Sequence, residues 1–322
     1  MPEHGHEHHG DHGHDHEGGG GRSHAGHAHV PANFGRAFAV GIILNTGFVA
    51  AEAIYGVLAN SLALLADAGH NLGDVLGLGV AWLASWLASR PPSARFTYGL
   101  RGSSILAALS NATVLLLVTG AIAWEAMLRF NHPQPAAGTT IMIVAAGGVL
   151  INGATALMFM SGRKTDLNIR GAFTHMASDA LIALGVVAAG GLILLTGWLW
   201  LDPAISLVIS AVVIWGTWSL MRESLNLALA GVPVGVDHAV VREFLCGLSG
   251  VTEVHDLHIW GMSTTETALT AHLVKPLAPA DDAFLHDICA ELKSRFGIGH
   301  ATLQVERGGE AEPCVLAPEH TV

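Results

Sequence analysis

Six long apolar runs constrain this chain more than any other feature of its sequence. They lie near residues 34–58, 61–88, 103–128, 138–160, 171–196 and 199–221. Each is close to the roughly 20 residues that an α-helix needs to cross a bilayer. The chain is 51% hydrophobic and only 13% charged, which is too apolar for a soluble domain of this length. The sequence therefore predicts an α-helical membrane domain of six transmembrane helices over residues 31–228.

Positively charged residues mark one side of the predicted bundle. They stand at the start of the first run, in the second–third and fourth–fifth loops and just after the sixth run: Arg36, Arg90, Arg95, Arg101, Arg163, Lys164, Arg170 and Arg222. The alternate loops hold almost no cation apart from Arg129. Because cytoplasmic loops carry the excess of Lys and Arg, both termini are expected in the cytoplasm. The N-terminus does not have the composition of a signal peptide, and we expect a multi-pass protein of the inner or plasma membrane.

The first 30 residues form a low-complexity tail that holds half of the chain's 20 histidines. These histidines alternate with Gly, Asp and Glu, and the run Gly18–Gly21 cannot support a helix. Because the tail has too few apolar side chains to form a core, it is expected to be disordered in the absence of metal. Because neutral imidazoles at this density bind transition metals, a metal buffer is favoured over a functionless extension.

The sequence after the sixth run predicts a soluble domain over residues 229–308 and a loose tail over 309–322. Apolar periodicity predicts a helix, two strands, a helix and a strand, near 237–248, 252–260, 266–274, 280–296 and 301–306. This order is typical of a small two-layer α+β domain. The chain's three cysteines, all in this C-terminal region, are far apart, which favours a reducing cytosol over a disulfide framework. The net charge of −11 gives no basic footprint for nucleic acid.

Ionisable side chains interrupt the second and fifth runs. In each run a His precedes an Asp by four positions: His70 and Asp74 in the second, His175 and Asp179 in the fifth. Side chains at this spacing project from one face of a helix. If the two helices face each other, two imidazoles and two carboxylates can surround an ion tetrahedrally, as Zn2+ prefers. The two carboxylates would also neutralise its charge, so the sequence predicts a site for a divalent metal.

The alternatives for these polar residues are structural. One His-x-x-x-Asp pair could be a local helix pair or a polar helix–helix contact, but two matching pairs in costly membrane positions favour the metal site. Asp67 shares the face of the second run's pair. It either supports the ligands or lies at the entry to the site, or it caps or pairs locally near the membrane surface. Asn45, Glu52 and Asn152 either line the pathway or hydrogen-bond between helices, and the structural role is favoured for each.

Several motifs together resemble the cation diffusion facilitator family, in its zinc-exporting branch. They are SLALLADAGHNLGD at 61–74, FTYG at 96–99, NIRGAFTHMASD at 168–179, DP at 202–203 and HDLHIW at 255–260. The resemblance implies a homodimer of six-span protomers with a metallochaperone-like cytoplasmic domain. It also implies metal export from the cytoplasm, usually in exchange for protons, through His70, Asp74, His175 and Asp179.

The resemblance also implies which metals are carried and where a second site lies. Two His and two Asp form a set similar to the family's zinc-selective pattern, whereas an all-carboxylate set favours harder ions such as Mn2+. Relatives with this pattern also carry Cd2+ or Co2+. A cytoplasmic metal site that stabilises the dimer is implied at His255, His272, His300 and Glu306. For each histidine alone, a plain surface or interface residue is the alternative.

Three further features concern possible metal ligands outside the membrane spans. His258 is left out of the cytoplasmic set because it points to the opposite strand face. Cys314 is a weak candidate for an additional thiolate ligand, since it lies in the predicted loose tail. Many family members hold a His-rich loop between the fourth and fifth spans, but here that loop, Ser161–Arg170, has no His. That departure favours the N-terminal tail as the metal buffer.

The function predicted is a Zn2+/H+ antiporter working by alternating access, and not an enzyme. A broader Cd2+/Co2+ exporter is the alternative within the same class. A membrane-bound metal sensor would bind metal without moving it. A membrane metallohydrolase would need a general base beside an open metal position, and no His-Glu-x-x-His helix supports that function.

Overall fold

A computed structural model describes residues 35–160, 167–277, 281–308 and 314–317 of the chain. The predicted metal-buffering tail at 1–30 lies outside the described residues. So do most of the loop between the fourth and fifth predicted spans and most of the C-terminal tail.

Long helices form at all six apolar runs. They are α1 (Gly35–Leu58), α2 (Leu62–Ala88), α3 (Ser103–Asn131), α4 (Gly138–Phe159), α5 (Leu167–Thr196) and α6 (Leu201–Ala228). Among the described residues, four stretches are long and apolar enough to cross a membrane: Ser103–Phe130, Gly138–Met158, Phe173–Thr196 and Leu201–Ala228. α6 continues seven residues past the predicted end of its run at residue 221 and so leads directly towards the soluble domain.

Close packing holds α4 against α5. Gly138 and Gly190 face each other across this pair, and a Cβ atom built on either one would lie 3.0 Å from the other's carbonyl oxygen. Small residues at such a crossing let two backbones approach closely. Ile141 and Val186 are buried beside it and belong to one apolar core with Leu64 of α2 and Val213 of α6. The core therefore ties α5 and α2 into one bundle.

The short turn between α1 and α2 is tied down by polar groups of other helices. The Asp202 carboxylate at the start of α6 accepts hydrogen bonds from the backbone N–H of Leu62, at 2.7 Å, and from the Ser61 hydroxyl. Arg129 of α3 donates to the backbone carbonyl of Asn60 at 3.1 Å and to its side-chain oxygen at 2.8 Å. A carboxylate at a helix N-terminus satisfies free N–H groups and complements the helix dipole. These contacts fix where α2 begins.

The soluble domain follows the predicted order of elements. It comprises α7 (His238–Cys246), β1 (Glu253–Gly261), β2 (Thr267–Val274), α8 (Asp282–Phe296) and β3 (Ile298–Glu306). The strand order is β1-β2-β3, with β1 antiparallel and β3 parallel to the central strand. β3 begins at residue 298, earlier than the predicted 301, because its parallel pairing starts where Ile298 lies beside Thr267.

Several contacts among the described residues join the soluble domain to the helix bundle. The Arg101 guanidinium lies 2.7 Å from the Glu266 carboxylate. The Ser104 hydroxyl at the start of α3 accepts a hydrogen bond from the backbone N–H of Thr264 at 3.1 Å. Tyr98 and His300 meet edge to face, with ring centroids 5.5 Å apart. The loop before α3 therefore rests on the β-sheet side of the soluble domain.

Candidate metal centres

The four membrane residues predicted to bind metal come together between α2 and α5. His70 Nε2 lies 3.4 Å from Asp179 Oδ1, and His175 Nε2 lies 3.4 Å from Asp74 Oδ2. His175 Nε2 is also 3.6 Å from the other oxygen of Asp179. Each imidazole therefore faces two carboxylates. One belongs to the opposite helix, and the other lies one turn further along the same helix.

The two cross-helix separations are close to those around a single tetrahedral ion. Two ligand atoms bound to Zn2+ at its usual distances and at the tetrahedral angle lie about 3.3 Å apart. The cross-helix distances of 3.4 Å are close to that value. Ligand atoms of His70, Asp74 and Asp179 all lie within 4.8 Å of one another. The two imidazole rings are nearly perpendicular, at 79°, with centroids 6.3 Å apart, so their nitrogen atoms approach the centre from different directions.

Burial differs sharply across this group. The Asp179 side chain is only 2% exposed, whereas that of His175 is 42% exposed. Asp179 Oδ1 and Asp74 Oδ2 are buried and accept no hydrogen bond. A buried carboxylate oxygen without a donor is costly unless a cation or proton compensates it. Asp179 thus forms the closed floor of the site, while Asp74, at 31% exposed, and His175 form its accessible side.

The site lines a cavity of ≈ 810 Å³. Asn111 of α3, Thr174 of α5 and Leu220 of α6 also line this cavity. Each of them lies in the half of its helix that is nearer to the cytoplasmic loops inferred from the Lys and Arg pattern. The cavity therefore leads from the four ligands towards the side that carries the soluble domain.

Other polar residues of the bundle are buried beside this site. Glu52, Asp67, Asn71 and Asn152 are each at most 1% exposed. The Asn71 amide donates to the Glu52 carboxyl at 3.4 Å, so Glu52 does bond between helices, as favoured from sequence. Asp67 lies in the interior, away from any surface, and neither of its oxygen atoms meets a donor. Of the two sequence interpretations of Asp67, the structure therefore disfavours a surface cap.

A second group of potential ligands forms on the sheet of the soluble domain. His272 Nδ1 lies 2.9 Å from the Glu306 carboxylate, and His255 Nε2 lies 3.5 Å from the same carboxylate. The Cys314 thiol lies 3.4 Å from His272 Nδ1. Ligand atoms of all four residues fall within 4.8 Å of one another. We call this set, His255, His272, Glu306 and Cys314, the sheet cluster.

Burial raises the pKa of the Glu306 carboxyl, but hydrogen bonds from Cys314 and Gln304 and the two nearby imidazoles outweigh it. The pKa of that carboxyl is thereby held below its usual value. Glu306 is therefore ionised at neutral pH and available to a cation. The sheet cluster offers nitrogen, oxygen and sulfur atoms, a set that Zn2+ accepts in structural sites.

His300 does not join the sheet cluster, although it was predicted as a member. It is six residues from Glu306 on the same extended strand, a separation of about 20 Å. Its ring instead packs against Tyr98 in the loop before α3. The sequence pattern placed His300 at the correct strand but did not indicate how far it lies from Glu306. His300 instead takes part in the contact with the helix bundle.

Asp256 was not predicted and lies beside the sheet cluster. Its Oδ2 is 3.5 Å from His272 Nε2, and its Oδ1 is 2.9 Å from His258 Nε2. The pairing of β1 with β2 is irregular between His255 and His258, and Asp256 has a φ of 49°. Such a bulge re-aims side chains. No strand alternation could have placed this carboxylate, because the bulge breaks the alternation at that point.

Two family models match the chain. The cation efflux transmembrane domain matches residues 38–227, and the cytoplasmic domain of cation efflux proteins matches residues 233–308. These matches cover the helix bundle and the α+β domain respectively. They agree with the predicted combination of a transmembrane and a cytoplasmic domain.

Similar proteins are known from several bacteria. The metal cation efflux system protein CzcD of Cupriavidus metallidurans is 38% identical over 284 residues, covering 88% of this chain and 90% of that protein. A cadmium, cobalt and zinc/H(+)-K(+) antiporter of Bacillus subtilis is 35% identical, covering 87% of this chain and 92% of that protein. The zinc transporter ZitB of Escherichia coli is 36% identical, covering 89% and 91%.

Proposed function

The chain belongs to the cation diffusion facilitator family of divalent metal efflux proteins, in its zinc-exporting branch, and from that premise we propose a Zn2+/H+ antiporter whose metal passes through His70, Asp74, His175 and Asp179. One observation supports this site above all others. Two His–Asp pairs from separate helices converge at separations close to those of a tetrahedral Zn2+ site. The site also lies on a large cavity, which a transported ion needs and a purely structural ion does not.

We place all six long helices across the bilayer. Four of them are apolar enough by composition alone. α2 packs within the same bundle through Leu64 and starts at a turn held by α3 and α6, so it lies in line with them. Its polar residues face inward, where ionisable groups in a membrane are tolerated. An even number of spans and the Lys and Arg pattern then put both termini in the cytoplasm.

Metal capture follows from the charges and exposure of the ligands. The ion enters along the cavity and meets His175, the most exposed ligand, before it reaches the buried Asp179. An imidazole binds a metal only when it is neutral, so protons compete with Zn2+ for both histidines. The two carboxylates balance the two charges of the ion. The occupied site is therefore nearly neutral in a medium of low polarity.

Release requires the site to face the other side of the membrane. Protons from outside then compete for the same nitrogen and oxygen atoms and displace the ion. The exchange works in both orientations only if the helices rearrange around a fixed binding point, as alternating-access carriers do. The cavity leads towards the predicted cytoplasmic side, so this conformation corresponds to the uptake step.

The soluble domain has a supporting role in this proposal. Its matching family model is named for dimer formation in cation efflux proteins, and we propose a homodimer held partly through this domain. The sheet cluster, with Cys314 in place of His300, is proposed to bind cytoplasmic metal. Metal binding there would order the C-terminal tail against the sheet, because Cys314 belongs to that tail.

The metals carried by the relatives define the proposed range. Their names include zinc, cadmium and cobalt, and imidazole and carboxylate groups can bind all three divalent ions. We propose Zn2+ as the main substrate with Cd2+ or Co2+ as further ones. The family and the relatives are transporters, which leaves neither the sensor nor the metallohydrolase with a supporting observation.

Flux through purified protein in liposomes tests this proposal. With an imposed pH gradient, the wild-type protein should move Zn2+, while His70→Ala and Asp179→Ala should move almost none. His286→Ala is a matched control, because His286 is an exposed residue of α8 outside both metal centres. Unchanged flux in either site variant would rule out the four-residue site, and Zn2+ binding without flux in the wild type would favour the sensor.

A further inference from the structure

Glu52 and Asp67 form a buried carboxyl pair in the bundle that the four-ligand site does not use. Glu52 on α1 is 0% exposed and Asp67 on α2 is 1% exposed. Among the described residues, no Lys or Arg forms an ion pair with either group. Two unpaired anions side by side in a membrane domain would be very unfavourable. Their burial together needs a compensating positive charge.

The contacts of the pair favour a proton as the compensating charge. The two carboxyl groups lie within hydrogen-bonding reach of each other. Asn71 donates to one oxygen of Glu52, while the remaining oxygen of Glu52 and both oxygens of Asp67 meet no other donor. An ionised carboxylate can only accept hydrogen bonds, so two of them cannot bond to each other. One shared proton supplies the missing donor and removes one charge.

We propose that the Glu52–Asp67 pair is a proton-binding site that exchanges one proton for each metal ion carried. This inference rests on the proposed antiport and assigns one of its protons to residues outside the metal ligands. The proton leaves the pair towards the cytoplasm as the ion enters, and it is regained from the outer side as the ion leaves. No bond other than the O–H bond changes.

The position of the pair explains why it would respond to the metal. Asp67 precedes His70 by one helical turn, a rise of about 4.5 Å on the same face of α2. A divalent ion bound at His70, in a poorly screened interior, strongly repels a proton on the pair. A proton on the pair in turn lowers the affinity of the four-ligand site for the metal ion. Linkage between the two sites is therefore reciprocal.

The surroundings leave few other groups to fill this role. The ionisable groups that act on the pair are His70 on α2 and Asp179 on α5. α4 contains no ionisable residue between Gly138 and Phe159. Asp202 of α6 and Arg129 of α3 are engaged with the α1–α2 turn. Asn45 and Asn152 add buried amide oxygens without charge.

An all-oxygen pocket could instead hold a monovalent cation such as K+. A proton is favoured because an ion between the carboxyl groups would hold their oxygen atoms farther apart than a direct hydrogen bond allows. The two possibilities differ in a measurable way. A proton site responds to pH and to conversion of one carboxyl into an amide, whereas a cation site depends on which salt is present.

The test compares Glu52→Gln and Asp67→Asn with the wild-type protein. Each change keeps the size of the side chain but mimics the neutral form permanently. Proton release on Zn2+ binding is counted by calorimetry in buffers of different ionisation enthalpy, and Zn2+ flux is measured in liposomes with and without a pH gradient. We expect proton release per Zn2+ to fall by about one in each variant. Stimulation of flux by the pH gradient should vanish while flux down a Zn2+ gradient persists.

Glu125→Gln is the matched control, since Glu125 is a half-exposed carboxylate of α3 paired with Arg129. It should keep the wild-type proton count. An unchanged count in both pair variants overturns the inference. The inference is also overturned if the pH gradient no longer stimulates Zn2+ flux through the wild-type protein when K+ is replaced by a large organic cation. A wild type without Zn2+ flux, or a fully active His70→Ala variant, would instead refute the antiport proposal itself. Either pair variant alone suffices if the other does not fold.

Discussion

The membrane site and the sheet cluster hold similar ligands but are organised differently. In the membrane site, two helices each supply a His and an Asp at the same spacing, and all four predicted residues meet. In the sheet cluster, three strand residues meet a cysteine from the C-terminal tail, and one predicted residue lies elsewhere. Helical spacing fixes which side chains share a face, whereas a strand cluster depends on register, bulges and distant segments.

The two regions also differ in the energetic cost of holding an ionisable side chain. A His or Asp within a membrane helix is expensive, so its presence is strong grounds for a function. The same residue on a soluble sheet costs little and has many ordinary explanations. The proposed roles follow this difference, with transport through the membrane site and support from the sheet cluster.

The largest expected effect tests whether Zn2+ flux depends more on the membrane site than on the sheet cluster. Removing a ligand of the membrane site by Asp179→Ala should lower Zn2+ flux by about 100-fold or more, because a buried ligand has no replacement. His272→Ala in the sheet cluster should lower flux by only a few-fold, since the transport path remains intact. Both are measured in the same liposome assay at equal protein density. Equal losses in the two variants would show that the two regions act as one site.

Changing the ligand type should alter which metal the membrane site prefers. The double change His70→Asp and His175→Asp gives an all-carboxylate set that suits harder ions. The ratio of Mn2+ to Zn2+ flux should then rise on the order of tenfold. Competition between the two metals during uptake measures this ratio. A ratio that stays constant would mean that selectivity lies outside the four ligands.

A smaller effect is expected from the thiol of the sheet cluster. Cys314→Ser should weaken Zn2+ binding at this cluster by about tenfold, because a hydroxyl is a much poorer zinc ligand than a thiolate. Calorimetric titration in a His70→Ala background isolates the cluster from the membrane site. Cys246→Ser, at an exposed cysteine of α7, serves as the control. Identical affinities for the two variants would exclude Cys314 as a ligand.

The smallest effect is expected where the two regions touch. Arg101→Ala removes an ion pair with Glu266 in which both side chains are more than a third exposed. Such pairs contribute roughly 0–1 kcal/mol, so thermal stability should change by a few degrees at most. Flux should stay within about twofold of wild type. A loss as large as that of Asp179→Ala would reveal strong coupling through this contact, and Arg295→Ala, in a surface pair of α8, controls for general charge loss.

Sequence patterns predicted the helices and brought together the residues proposed as membrane ligands, because both depend on local periodicity. They placed His70 and Asp74 on one face without any tertiary information. They could not place His300, whose distance from Glu306 depends on position along a strand, or Asp256, which a bulge redirects. Nor could they pair Glu52 with Asp67, because that contact depends on how α1 packs against α2.

The carboxylate of Asp202 at the start of α2 has a mechanical consequence. It holds the N-terminal end of α2 at the α1–α2 turn, so a tilt of α2 would pivot there. His70 lies about 12 Å along the axis from Leu62, and Ala88 about 39 Å. A given tilt would therefore swing the far end, at Ala88, roughly three times as far as the metal ligands. In the proposed transport cycle, α2 would act as a lever whose far end moves widely while the bound ion barely moves.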